Sequence, residues 1–226
     1  FTSRAKSAIA TVTSGTYTVT GVTTISMVPA GVSVATFQGN LTPAAGATIA
    51  TFQADGTTPA VGNVLNGYKL IVTAEDGIAT NTYTLVVTPA LTAASTSNDV
   101  EHNFDITFTT DAVWEAAITS VKYGTDVLTL TTDYTIASGI ITLKPTGGNV
   151  VLRAAGTKTV TVIATGYTDA TVSQLIKAGV ANVGISTISN TPAMRLPLTS
   201  TVTLTAKDQY SNLLSGYEFK YDATLT

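Results

Sequence analysis

The stretch from Phe104 to Gly124 (FDITFTTDAVWEAAITSVKYG) constrains the fold more than any other part of the chain, because it combines two strand signals with one helix signal. Hydrophobic and polar residues alternate from Phe104 to Phe108, which is the pattern of a half-buried strand. Asp111 stands where a helix N-cap would, before AVWEAAI, and the alternation resumes in VKY. This stretch predicts a strand, a short helix and a second strand in one compact unit.

Trp114, the only tryptophan in the chain, falls within that predicted helix. Trp114 and Ile118 are four residues apart, so they are expected to share the inward face of the helix. A large ring at this position would close one end of a β-sandwich. We therefore predict that Trp114 belongs to the core and does not bind a ligand.

The composition favours β structure. Charged residues make up 11% of the 226 residues, against about 25% in ordinary globular proteins, while hydrophobic residues make up 44%. Threonine, about one residue in five, fills the gap, and its β-branched side chain suits a solvated sheet face. The chain is expected to be mainly β, built from tandem β-rich domains of the Ig-like sandwich type.

Charge, cysteine content and hydropathy exclude several classes of function. A net charge of −3 and a pI near 5.0 provide no attraction to nucleic acid or to an anionic membrane surface. The absence of Cys excludes disulfides, thiolate metal sites and cysteine catalysis. No run approaches the ~18 consecutive apolar residues that predict a membrane span. A mean hydropathy of +0.32 predicts that some surface is buried against neighbours. The start at Phe1 predicts a processed product or an excised piece.

Strand and turn signals divide the chain into three units. The first, residues 1–89, has several alternating strands separated by Asx-Gly turns, and a short helix capped by Ser33 with Phe37 on its inward face. Either a sandwich or a grasp-like α+β layer fits this pattern. The small, polar residues Ala90–Val100 predict a linker.

The second unit, residues 99–177, shows short strands at the spacing of an antiparallel sandwich and contains one short helix. One of these predicted strands is Val150–Arg153. The third unit, residues 180–226, shows three strands, at Val183–Ile188, Thr199–Ala206 and Tyr217–Tyr221. Three strands are too few for an Ig-like sandwich, which needs about seven, so this unit is expected to be the first part of a domain that continues beyond Thr226. The alternative is that a neighbouring subunit donates the missing strands.

Each unit resembles a known family. HNFDITFTTDAVWEAAITSVKYG and TVIATGYTDATVSQLI in the second unit resemble the haemoglobin-interacting domain of bacterial haem receptors, a β-rich family that recurs as a spacer in Gram-positive surface proteins. The matching residues are Ile106, Phe108, Asp111, Trp114, Ile118, Val121, Tyr134, Ile141, Gly166, Tyr167, Asp169 and Gln174. VPAGVSVATFQGNLTPAAGATIATFQADG and GYKLIVTAEDG in the first unit are similar to repeats of S-layer and other wall proteins. VTLTAKDQYSN in the third resembles the start of a bacterial Ig-like domain.

These resemblances imply a non-enzymatic structural protein of the bacterial cell surface that assembles with copies of itself in an S-layer-like array. A cell-wall polymer is a further implied partner, and no nucleic acid is expected. One alternative is an adhesin or haemoprotein-binding module, and another is an accessory arm of a secreted carbohydrate-active enzyme. No haem-ligand pair is visible, because His102 is the only His, and both methionines, Met27 and Met194, lie in other units.

Individual polar residues predict no catalytic site, no cofactor and no assigned metal ligand. His102 is interpreted as a solvated residue at a strand entry, because no partner lies at ligand spacing. Asp99, Glu101 and Asp105 form a carboxylate cluster for which a calcium ion and a solvated edge are both open interpretations. Asp208 and Asn212 predict a turn capped by its own side chains. Six scattered tyrosines are interpreted as sheet packing, with carbohydrate stacking as the alternative: Tyr17, Tyr68, Tyr83, Tyr123, Tyr134 and Tyr167.

Overall fold

The computed structural model describes residues 4–190 and 202–215. Up to residue 90 the described elements are β1 (Val12–Thr13), β2 (Thr18–Thr20), β3 (Thr24–Val28), α1 (Val34–Gly39), β4 (Thr42–Pro43), β5 (Thr48–Phe52), β6 (Lys69–Thr73) and β7 (Thr80–Val87). Five strands form one sheet in the order β2-β3-β7-β6-β5, in which β3 and β7 are parallel and the other pairs are antiparallel. β1 and β4 form a separate antiparallel pair.

Helix α1 begins where the sequence predicts, because the Ser33 hydroxyl accepts a hydrogen bond from the main-chain nitrogen of Thr36 at 3.1 Å. Phe37 is fully buried, and its ring lies 5.3 Å from that of Tyr17. Both belong to a hydrophobic cluster that also contains Leu70 and Tyr83 of the sheet. Of the two predicted alternatives for the first unit, a sandwich and an α+β layer, one mixed sheet with one helix corresponds to the α+β layer. The prediction of a mainly β chain is confirmed.

The middle part of the chain forms two four-stranded sheets around a second hydrophobic cluster. Its elements are β8 (Leu91–Thr92), β9 (Phe104–Phe108), α2 (Ala112–Ala117), β10 (Ile118–Tyr123), β11 (Asp126–Val127), β12 (Tyr134–Ala137), β13 (Ile140–Leu143), a 3₁₀ turn (Pro145–Gly147), β14 (Gly156–Ala164) and β15 (Ala170–Ile176). The sheet orders are β12-β13-β9-β8 and β11-β10-β14-β15, with all neighbours antiparallel. This part is the sandwich that the strand spacing predicts.

Two predictions for this region are wrong. Val150–Arg153 is a turn and not a strand, because the Asn149 side chain accepts a hydrogen bond from Val151 N at 3.0 Å and the main chain closes on itself. Ala90–Val100 is not a free linker. It contains β8, which pairs with β9, and its residues Asn98 and Val100 are buried. It is held to the sandwich by hydrogen bonds from Ala94 N to the Gln174 side chain and from Asn98 Nδ2 to Leu175 O, each at 2.8 Å.

Beyond residue 179 the described elements are β16 (Thr187–Asn190) and β17 (Val202–Thr205), an antiparallel pair. The first of these strands starts later than predicted, because Asn182 accepts hydrogen bonds from the main-chain nitrogen atoms of residues 184, 185 and 186 and holds them in a turn. The predicted strand Tyr217–Tyr221 lies outside the described residues. Among residues 180–189 and 202–215, only Ala206 and Asp208 are buried, so this part of the third unit has no hydrophobic core of its own.

The two α-helices of the described residues are six residues each, which is too short for either to cross a membrane.

Candidate functional site

Trp114 lies in the core of the middle sandwich, as predicted. It is fully buried and packs edge-on against Phe108, with 4.8 Å between ring centroids and 71° between ring planes. Helix α2 is held by its cap: the Asp111 carboxylate accepts from the main-chain nitrogen atoms of Val113 and Trp114 at 3.1 Å each. Glu115 closes the arrangement by accepting from Asp111 N at 3.3 Å. The Trp114 ring is therefore positioned as a structural element and is not accessible to a ligand.

The predicted tyrosine packing is also confirmed. Tyr17, Tyr83, Tyr123, Tyr134 and Tyr167 are buried, and Tyr68 packs against the first hydrophobic cluster. Burial raises the pKa of Tyr123 to about 12, because the phenolate form would lose its hydration. The Tyr123 hydroxyl donates to the main-chain oxygen of Gly156 at 3.1 Å. Buried rings of this kind offer no stacking platform for a sugar.

The carboxylate cluster near the start of β9 is divided among separate partners. His102 is an exposed residue whose Nδ1 lies 2.7 Å from Asp99 Oδ1, and Asp105 accepts from the Thr142 hydroxyl at 2.6 Å. Glu101 points towards the third unit, where it accepts from Gln209 Nε2 at 3.1 Å. Within residues 4–190 and 202–215, no three His, Asp or Glu side chains are grouped so that they could hold a metal ion.

The structure instead concentrates polar contacts at the two places where the middle sandwich meets its neighbours. The first joint connects it to the mixed sheet through two side-chain pairs. Asn66 Nδ2 donates to Asp111 Oδ2 at 2.6 Å, and the hydroxyls of Thr88 and Thr168 lie 2.7 Å apart. Thr168 N also donates to the Thr88 hydroxyl at 3.1 Å. Because the two pairs are separate, they resist rotation of one unit against the other.

A cleft of about 590 Å³ opens at this first joint. One wall comes from the mixed sheet and its loops, including Asn63 and Leu65, and the opposite wall includes Thr110 and Asp111. Burial raises the pKa of the Tyr167 phenol, and the negative charge of the nearby Asp111 raises it further. Asp111 thus serves two purposes, since one carboxylate oxygen caps α2 and the other binds the preceding unit.

The second joint connects the middle sandwich to the turn Asp208–Asn212, whose predicted self-capping is confirmed. Asp208 is fully buried and accepts from Asn212 Nδ2 at 2.7 Å, and from the main-chain nitrogen atoms of Tyr210, Asn212 and Gly179 at 2.9 Å each. Burial alone would raise the pKa of Asp208, but the hydrogen bonds, that from the Asn212 side chain foremost, outweigh it and leave the pKa below 3.8.

Asn212 carries this turn across to the middle sandwich. Its Nδ2 donates to the main-chain oxygen of Arg153 at 2.8 Å, and its Oδ1 accepts from Ala155 N at 2.8 Å. The Arg153 guanidinium lies over the Tyr210 ring, 4.7 Å from its centroid. A Cβ on Gly179 would lie 2.6 Å from the Glu101 carboxylate, so a larger residue there would require the Glu101 side chain to move.

Most of these residues have a recognisable local role in the sequence, but their partners do not follow from it. Asn66 was interpretable as a turn residue, Asp111 as a cap and Asn212 as part of a local turn. Hydrogen bonds between residues 45 to 80 positions apart leave no periodic signal, so the sequence alone offered no way to pair them. The contacts connect the middle sandwich to its neighbours on both sides.

The middle sandwich is similar to one known family. Residues 91–177 match the sequence model of the family described as "Heme-binding protein Shr-like, Hb-interacting domain". No curated protein matches the chain. Two solved structures of surface layer protein SbsC are similar at 14% and 16% identity, for its domains 4–9 and 1–6, with TM-scores of 0.19 and 0.17. They cover 80% and 75% of this chain, which spans 31% and 24% of theirs. The family match, starting at β8, includes most of the segment that composition alone predicts as a linker.

Proposed function

We propose that this chain is a non-catalytic structural segment of a bacterial cell-surface protein, in which stiffly joined β-rich domains set the spacing of an S-layer-like assembly. Its domains would be residues 1–89, 99–177 extended at its start to include β8, and 180–226. The family match at 91–177 and the resemblance of the first unit to wall-protein repeats support a place on the cell surface.

One observation carries the structural role: the middle sandwich is fixed to its neighbours on both sides by side-chain hydrogen bonds. The first joint has the Asn66–Asp111 and Thr88–Thr168 pairs, and the second has Asn212 bonded to residues 153 and 155. Domains that only share a flexible linker move independently by default. Specific contacts at each end instead favour a rigid rod, in which the position of one domain fixes the positions of its neighbours.

Association with copies of the same chain is supported by the surface. Only 11% of residues are charged, and several large apolar side chains among the described residues are strongly exposed. Examples are Val61 at 77%, Ile78 at 85% and Val150 at 76%. Burying such a surface against a neighbour removes apolar area from water with little desolvation of charge. On the cell surface, a cell-wall polymer would be a second partner.

The test uses the absence of Cys, which allows spin labels to be placed at chosen pairs of sites. Labels on V61C and V150C report on the first joint, and labels on V127C and V183C report on the second, since all four residues are exposed. We expect narrow distance distributions for both pairs. We also expect sheets or filaments in electron micrographs as the protein concentration is raised, with and without calcium. Broad distributions would refute the rigid rod, and a monomer at every concentration would refute self-assembly.

Haemoglobin binding is the second candidate function, and the family match at residues 91–177 is the observation that favours it. With a single His and no Cys in the chain, a protein–protein contact is a better proposal than haem ligation. Val113 and Val127 are exposed at 71% and 63% within the matched region, so V113E and V127E should weaken saturable binding measured by surface plasmon resonance. V61E is the control, because Val61 lies in the first unit and is exposed at 77%. Absence of saturable binding by the unmodified chain would exclude this function.

A further inference from the structure

Asn66 precedes Gly67, and this is the only Asn-Gly pair in the sequence. Without a Cβ on the following residue, the main-chain nitrogen can approach the Asn side chain closely. When that nitrogen attacks Cγ, a new N–C bond forms and the side-chain amide leaves as ammonia, which gives a cyclic imide. Water then opens the ring to Asp or isoaspartate. The overall change exchanges an amide for a carboxylate and needs only water.

The fold restrains this reaction while the first joint is closed. Asn66 is exposed, but its side chain is held at both atoms: Oδ1 accepts from Val87 N at 3.1 Å, and Nδ2 donates to Asp111 Oδ2 at 2.6 Å. The attacking nitrogen is occupied as well, because Gly67 N donates to the main-chain oxygen of Leu85 at 2.8 Å. The amide can therefore react when these three hydrogen bonds open together.

We propose that Asn66 is a deamidation site whose product releases the first joint. Conversion to Asp replaces the donor that faces Asp111 with a second carboxylate oxygen. Two carboxylates at the separation of the present hydrogen bond repel each other near neutral pH, and neither can donate. The modified chain keeps the Thr88–Thr168 pair but loses the contact across the cleft, so the two units rotate more freely.

This inference goes beyond the structural role proposed above. It concerns the covalent chemistry of the chain and the stiffness of one joint, whether or not the chain assembles. Ageing would convert a stiff connection into a loose one, and it would do so irreversibly, since the ammonia is lost.

The chemical half of the proposal is tested by incubating the full chain at mildly alkaline pH and mapping deamidated peptides by mass spectrometry. We expect Asn66 to convert faster than every other Asn in the urea-unfolded chain, and several-fold more slowly in the folded chain. Conversion of other Asn residues while Asn66 stays intact in the unfolded chain would overturn the assignment. Equal rates in the folded and unfolded chains would overturn the restraint.

The mechanical half is tested with spin labels on V61C and V150C in three variants. N66D should broaden the distance distribution. N66D combined with D111N should restore it, because the new amide at 111 donates to the new carboxylate and Asn caps a helix as well as Asp does. N103D is the charge control, since it adds the same charge and still accepts the hydrogen bond from the Thr146 hydroxyl. A narrow distribution in N66D, or a broad one in the double variant with native circular dichroism, would overturn the proposal.

Discussion

Asn212 accepts a hydrogen bond from Ala155 N and donates one to Arg153 O, each at 2.8 Å, although Asn212 belongs to a turn of the third unit and its partners belong to a loop of the middle sandwich. The same side chain donates to Asp208 at 2.7 Å. One amide thus closes the turn and attaches it to the neighbouring domain. The conformation of the turn and the angle between the domains are therefore coupled.

The first prediction is that N212A loosens the second joint. The substitution leaves the main-chain groups of Arg153 and Ala155 without their partners, which costs about 1–3 kcal/mol for each group that water does not reach. Labels on V127C and V183C should show a broadened distance distribution. N103A is the control, because the Asn103 side chain accepts from the Thr146 hydroxyl within the middle sandwich, away from the second joint. An unchanged distribution in N212A would contradict the role of this amide.

The second prediction concerns acid. The pKa of Asp208 is lowered in the folded chain, so the ionised carboxylate stabilises the second joint at pH values above its ordinary pKa, 3.8. That contribution is lost as the pH falls below 3.8 and through the lowered pKa. We expect the V127C–V183C distribution to broaden in this range while the middle sandwich keeps its circular dichroism. D208N should show a broad distance distribution already at pH 7. If the distribution in D208N were narrow at pH 7 and broadened in acid as in the unmodified chain, other groups would be responsible for the broadening.

The sequence predicts the local elements well because their signals are local. The alternation at Phe104–Phe108, the cap at Asp111 and the cap at Ser33 each depend on neighbours within a few residues, and all three are present. Val150–Arg153 begins with three consecutive apolar residues, but the Asn149 side chain turns the chain there. Local composition suggested a strand, and a side-chain hydrogen bond decided otherwise.

Tertiary pairing accounts for what the sequence did not predict. Ala90–Val100 has the composition of a linker, yet its polar groups bond to a buried side chain, Gln174, and to the end of β15. Small polar residues are equally common in a loop and in a tightly held edge segment, so composition cannot distinguish the two structures. The hydrogen bonds at the joints could not be predicted for the same reason, since Asn66 and Asp111, for example, are 45 residues apart in the sequence.

The third prediction is that W114A destabilises the middle sandwich by about 3–5 kcal/mol, as truncation of other buried aromatic residues does. The ring is fully buried and packs against Phe108, so its loss leaves a large cavity. Urea unfolding followed by far-ultraviolet circular dichroism measures the change. V113A, next in the same helix but 71% exposed, should alter stability by less than about 0.5 kcal/mol. A similar loss in both variants would contradict a core role specific to Trp114.

The fourth prediction separates two glycines. Gly39 ends helix α1, and a Cβ there would meet no atom within 4 Å, so G39A should stabilise the chain by about 0.5–1 kcal/mol. Gly147 lies in the 3₁₀ turn, where a Cβ would be 2.3 Å from the main-chain oxygen of Thr132. G147A should lower the melting temperature, because main-chain atoms must move. A rise in melting temperature for both variants would contradict the close approach at Gly147.

The last prediction is that Gln174 fastens the segment Ala90–Val100 to the sandwich. Gln174 is fully buried; its Oε1 accepts from Ala94 N at 2.8 Å, and its Nε2 donates to Ala94 O at 3.2 Å and to Leu175 O at 2.6 Å. Leucine has a similar volume but can make none of these bonds, so Q174L leaves both main-chain groups of Ala94 without these partners.

Hydrogen exchange in the folded chain provides the measurement. In Q174L we expect the amide of Ala94 to lose most of its protection and proteases to cut within residues 93–99, while the amides of β14 stay protected. S173A is the control, because Ser173 precedes Gln174 on the same strand but is exposed. If Ala94 kept its protection in Q174L, the segment would be held by β8 and Asn98 alone. If β14 lost protection as well, Gln174 would be required for the whole sandwich and not for this segment in particular.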